Sequence, residues 1–182
     1  MTQFKLQPFS IYPNSPTLSG SIHWVANQLQ VSWQLTGQLE QFDWPVRNEP
    51  AGRETGLWKS TCFEFFVSDP KSTPYYEFNF SPSGNWQSFS FSDYRTNMHS
   101  CSNLVLREQQ VARYPQEITI NISVECSIAE NVTKKLKAGI CAILLDRQGV
   151  YHYYALRHGN CKPDFHSKSD HSLILVPDHD TA

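Results

Sequence analysis

The chain has no apolar run approaching the ~20 residues that cross a bilayer. Its opening residues, Met-Thr-Gln-Phe-Lys-Leu-Gln-Pro, lack the continuous apolar stretch of a secretory leader. Both absences lead to the expectation of a cytoplasmic protein with no membrane partner. Charge of one sign is not in surplus either: 15 Lys and Arg against 17 Asp and Glu leave a formal charge of -2, which gives no basic footprint for nucleic acid. The five cysteines (Cys62, Cys101, Cys126, Cys141, Cys161) are odd in number and form no C-x-x-C pair, and the seven histidines show no H-E-x-x-H spacing. A disulfide framework and a zinc site are therefore not expected, and the thiols read as reduced and mostly buried.

Helix signals are also scarce; the one candidate is a short helix over Ala129 to Lys137. What is present is alternation. Apolar and aromatic residues exchange with polar ones over short runs bounded by Gly, Pro, Asn, Asp or Ser, which points to an all-β, antiparallel β-sandwich. The 182 residues suit one domain, 1–182, burying roughly 70% of the surface its unfolded form exposes, with about 177–182 as a frayed tail. Leu18 to Val31 and on to Leu35 reads as a hairpin turning near Asn27. Residues 38–57, with Pro45, Pro50, Gly52 and Gly56, read as a long surface loop. Ser60 to Val67, Tyr75 to Phe80 and Trp86 to Phe91 form a three-stranded meander, and Ala138 to Leu145 is apolar throughout, as a strand covered on both faces would be.

Side-chain parity divides the meander into two faces. Phe63, Phe65, Val67, Tyr76, Phe78, Phe80, Phe89 and Phe91 form a core face. The other face collects Trp58, Cys62, Glu64, Phe66, Tyr75, Glu77, Asn79, Ser81, Trp86, Ser88 and Ser90. A two-residue Ser83-Gly84 tip would set Asn79 opposite Ser88 and Ser81 opposite Trp86. Aromatic platforms beside carboxylates and amides suit a sugar, whose C–H face stacks on an indole while its hydroxyls donate and accept. Equally open from parity alone is that Glu64 and Glu77 decorate a solvated face while Trp86 covers part of the core.

The segments Gly56-Leu57-Trp58, Thr61 to Phe66, Tyr76 to Trp86 and Asp93-Tyr94-Arg95, with Tyr154 to His158 and Lys162 to His166 downstream, resemble the DOMON-like proteins related to family 9 carbohydrate-binding modules. The resemblance spans roughly Trp58 to Leu175. It implies a jelly-roll-like sandwich that binds a carbohydrate on one sheet without catalysing a reaction, two tryptophans clamping the sugar, and bound calcium supporting the fold. Carried onto this chain, Trp58 and Trp86 are the platforms, and Glu64, Glu77, Asn79 and Arg95 the polar partners. From the residues themselves, Asp164 and His166 after Pro163 can lock a loop against the sheet, either as a rim of the site or as a buried salt-bridged corner that Arg157 completes. Asp93-Tyr94-Arg95 likewise reads as a corner in which Arg95 pairs with Glu77, and Tyr75, Ser88 and Tyr94 stand at the rim or in structural support.

Three rival readings stand beside this one. Haem-binding electron-transfer domains occur in the wider group, which directs attention to Met98 and the histidines, although no C-x-x-C-H motif is present. Glu64 and Glu77 on adjacent strands could serve as the carboxylate pair of a glycoside-acting enzyme. An aromatic face could instead dock another protein.

Overall fold

The expected first hairpin forms: β2 (Thr17–Val25) and β3 (Gln28–Thr36) pair antiparallel through a tight turn at Ala26 and Asn27. Leu18 faces Leu35, Ile22 faces Val31 and Trp24 faces Leu29, so the apolar sets of both arms share one side and bury it. The computed structural model describes residues 1–128 and 135–178. Within them lie β1 (Thr2–Pro8), β4 (Cys62–Ser68), β5 (Tyr75–Phe80), β6 (Trp86–Phe91), β7 (His99–Ser100), β8 (Leu104–Tyr114), β9 (Glu117–Cys126), β10 (Leu136–Leu145), β11 (Tyr151–Ala155) and β12 (Leu173–Leu175).

One layer runs β1-β2-β3-β9-β8 and the other β7-β6-β5-β4-β10-β11, with β12 also against β10. β1 belongs to both layers, pairing with β2 over Thr2 to Leu6 and with β11 at Gln7 and Pro8. The result is a curled antiparallel β-sandwich, the fold class read from the sequence. Its core lies between the layers: Phe63, Phe65, Phe78 and Phe80 from one side meet Ile22, Val31, Trp33 and Ile120 from the other, with the Trp33 and Phe63 rings 5.6 Å apart.

β10 explains its own composition. Ala138, Ile140, Ala142 and Leu144 face the core, while Cys141 and Ile143, on the other face, are also buried. The 38–57 loop covers the core edge: Leu39 and Phe42 are inserted and Arg53 lies over the Trp86 ring at 4.2 Å. The helix expected over Ala129 to Lys137 falls largely on 129–134, outside the described residues, and Leu136 and Lys137 already belong to β10. Of the expected tail, Asp178 is tied down, its N–H donating to the Trp24 carbonyl and its carboxylate paired with His23; 179–182 lie outside the described residues.

The third meander strand corrects the parity argument. Residues 81–85 form the turn, closed by Ser81 N–H donating to the Asn85 carbonyl at 2.9 Å, in place of a two-residue tip. Asn79 therefore faces Gln87, and Phe80 faces Trp86. This single step of register flips every side chain of β6. Phe89 and Phe91 join the face of Glu77 and Tyr75, whereas Trp86, Ser88 and Ser90 turn toward Phe78 and the sandwich interior.

Candidate functional site

β4 and β5 pair with Phe66 opposite Glu77 and Glu64 opposite Asn79, which places the two carboxyls diagonally on one face, as parity requires. They form the floor of a pocket of about 660 Å³. The floor is buried, not a solvated surface: Glu64 is 3% and Glu77 5% exposed. Asn79 Nδ2 donates to Glu77 Oε1 at 2.7 Å, while Glu64 Oε1 has no hydrogen-bond partner. Burial raises the Glu77 pKa to about 7, opposed by the Asn79 amide and the Arg95 charge. Burial pushes Glu64 well above the carboxylate range too, reinforced by the neighbouring charge of Glu77. The flanking Cys62 and Cys141 thiols are pushed up by burial and then by these acids, so they stay protonated and unreactive.

Aromatic side chains build the walls. Trp58 sits on a short 3-10 turn, Leu57–Lys59, entered through Gly56 at φ 87, a backbone state that glycine tolerates. Its ring meets the Phe89 ring edge-on at 5.9 Å. Phe91 stacks on Tyr75 at 4.7 Å, Tyr153 rises from β11, and Phe165 abuts Tyr153 at 6.0 Å.

Phe165 and His166 arrive on a loop that a close backbone approach holds down. A Cβ on Gly139 would come within 2.3 Å of the His171 ring, so only glycine lets His171 stack on Phe66 and bond the Phe165 carbonyl at 2.9 Å. Asp164 pins the same loop by accepting from Tyr94 Oη (2.9 Å), Arg95 Nη2 (3.1 Å), Asn160 Nδ2 (3.0 Å) and the His166 N–H (3.2 Å). Burial alone would raise the Asp164 pKa; the bonds from Tyr94 and Arg95 outweigh it and hold the carboxyl below the usual range. Tyr75 Oη accepts the Arg95 N–H at 3.1 Å and shares a hydrogen bond with His166 Nδ1 at 2.8 Å, while His166 Nε2 lies 3.8 Å from Glu77 Oε2. Burial, then the Arg95 charge, lowers the His166 pKa to about 4, and the ring is neutral at physiological pH.

Of the residues singled out from sequence, Trp58, Glu64, Glu77, Arg95 and His166 line this pocket. Asn79 and Tyr75 lie behind the lining and orient Glu77 and His166, and Tyr94 and Asp164 hold the rim. Trp86 does not reach the pocket; it stacks on Phe78 at 5.6 Å across the sheet. Ser88, also on that side, donates to the Leu104 carbonyl at 2.8 Å. Arg157 is exposed and forms no ion pair among the described residues, and Arg95 pairs with Asp164, not with Glu77. Sequence reasoning missed Phe91, placed on the wrong face by the register step, and Tyr153 and Phe165, which come from strands and loops distant in sequence.

The pocket can stack a flat apolar ring face, accept hydrogen bonds at its floor and offer Arg95 and Lys162 at its mouth. Met98 lines it, but no cluster of three or more His, Cys, Asp or Glu side chains placed to hold a metal occurs among the described residues. No described helix is long and apolar enough to cross a membrane.

No known family's sequence profile and no curated protein sequence matches the chain. Solved structures do match in fold. A candidate carbohydrate-binding protein from Bacteroides uniformis superposes with a TM-score of 0.66 at 17% identity, covering 96% of this chain and 87% of that one. A family 9 carbohydrate-binding module from Caldicellulosiruptor kristjanssonii, in complex with glucose, gives 0.54 at 8% identity over 92% and 80% of the two chains. A family 9 module of the same organism, in complex with cellotriose, gives 0.56 at 8% over 98% and 83%. The chain thus shares the sandwich fold of carbohydrate-binding modules.

Proposed function

We propose that this protein is a non-catalytic carbohydrate-binding module, akin to the DOMON-like relatives of family 9, and that its site is the pocket floored by Glu64 and Glu77. The observation that carries the reading is the combination, in one concavity, of the Trp58, Phe91, Tyr153 and Phe165 rings with two buried carboxyls, one of them holding an unpartnered oxygen. Rings supply stacking surface for pyranose C–H faces and carboxyls supply acceptors for hydroxyls. Fold neighbours that bind glucose and cellotriose support it.

A glycan array followed by calorimetry on retained sugars tests the proposal. Trp58→Ala and Tyr153→Ala are expected to weaken binding, each by about 0.5–1.5 kcal/mol beyond the area lost. Retention of no glycan would overturn the reading. The raised pKa of Glu77 would also serve a general acid; release of aryl alcohol from aryl glycosides, abolished by Glu77→Gln, would overturn the non-catalytic part.

A further inference from the structure

The floor of the pocket has an unusual charge balance. Glu64 and Glu77 are both buried, no hydrogen bond joins them, and no Lys, Arg or His forms an ion pair with Glu64 among the described residues. The cations nearby are otherwise engaged or out of place. Arg95 is paired with Asp164 at 3.1 Å and lies over the Tyr94 ring, His166 is neutral, and Lys162 is exposed at the mouth. Within this pair, Glu64 Oε2 has only the Cys141 thiol at 3.7 Å, and Glu64 Oε1 is a buried acceptor without a donor, on a residue that lines the cavity. Buried carboxyl oxygens normally keep a cationic or hydrogen-bonding partner, and one left without it costs stability. What is missing here is a compact donor with positive charge, framed by aromatic rings.

An alkylammonium meets that description: three N–H donors on one point charge, attracted both to carboxylates and to ring faces. A neutral hydroxyl could donate to Glu64 Oε1, but it brings no charge to offset ionisation of the pair. Resting on the saccharide reading above, we propose that the pocket selects saccharides carrying a free primary amine, whose ammonium seats on the Glu64 and Glu77 carboxyls beside Trp58 and Tyr153.

Three β-1,4-linked trisaccharides that differ only at C2 test it by calorimetry on the intact chain: cellotriose, the glucosamine trimer and the N-acetylglucosamine trimer. The glucosamine trimer should bind roughly tenfold to a hundredfold tighter than the other two, as a charge-assisted contact provides. Glu64→Gln and Glu77→Gln keep the side-chain shape, and thermal melts confirm that each variant folds; the amine preference should collapse in both. Cellotriose binding as tightly as the glucosamine trimer, or an amine preference that survives both substitutions, overturns the inference and leaves the saccharide reading intact. Binding of no trisaccharide counts against the saccharide reading itself.

Discussion

Replacing Glu77 by Gln should change how stability depends on pH by removing one of the two interacting floor carboxyls. The variant keeps an oxygen that can accept from Asn79 at 2.7 Å and replaces the other, 3.8 Å from His166 Nε2, by an NH2 that cannot ionise. Below the ordinary value of 4.5, folded and unfolded chains both hold the proton, and Glu77 has no pH-dependent effect. Between 4.5 and about 7 the unfolded chain releases it while the folded chain retains it, so rising pH costs the native protein about 1.4 kcal/mol per pH unit. Above about 7 both states are ionised and the full difference persists, roughly 3 kcal/mol over that interval. His166 acts in the opposite sense. Its pKa falls from 6.5 to about 4 on folding, so its contribution is complete above 6.5 and is lost as pH falls toward 4. In the parent protein the two slopes largely cancel between 4.5 and 6.5. Since His166 is present in both proteins, the difference between variant and parent is what exposes Glu77. Urea unfolding across about pH 4 to pH 8 should show Glu77→Gln gaining on the parent by roughly 3 kcal/mol, mostly between 4.5 and 7, with part of the gain coming from relief of Glu64. Parallel curves for the two proteins would refute the reasoning.

Trp86→Ala should lower unfolding free energy by about 2–3 kcal/mol, since the half-buried ring packs on Phe78 and under Arg53, and should leave saccharide binding within about twofold of the parent; Trp58→Ala should do the reverse, as calorimetry and denaturation on both variants will show. Gly139→Ala drives a methyl into His171 and is expected to cost about 1–3 kcal/mol and to loosen Phe165 and His166, visible as lower hydrogen-exchange protection in that loop. Asp164→Ala removes the acceptor of four hydrogen bonds and should weaken ligand binding severalfold through loss of loop position, while β4 and β5 amides keep their protection.

Parity sufficed for β4 and β5 because they pair in register without a bulge, from Phe63 opposite Phe80 to Val67 opposite Tyr76, so Glu64 and Glu77 were placed on one face correctly. It failed at β6 for a local reason. Ser81, Ser83 and Asn85 bond among themselves, with Ser83 N–H donating to Ser81 Oγ at 3.2 Å, and widen the turn to residues 81–85. Nothing in the alternation of Trp86 to Phe91 distinguishes the two registers, because aromatic residues occur at both parities. Hence the alternative in which Trp86 covers the core describes Trp86 correctly, and the solvated floor does not describe Glu64 or Glu77. The remaining walls were out of reach of any short-range signal. Tyr153 is brought beside Glu64 through pairing of β11 with β10, and the Arg95 and Asp164 pair joins residues 69 positions apart. Proximity of that kind is a property of topology, not of spacing.

The double membership of β1 bears on how the polypeptide acquires its shape. Its last residues find their neighbours, Tyr154 and Ala155, only after nearly 150 further residues have been made, since β11 must first pair with β10 beside β4. Until then one edge of each layer is an open ladder of unsatisfied amides. Assembly should accordingly be slow, and a chain halted before β11 is complete would leave both edges exposed and be an aggregation hazard.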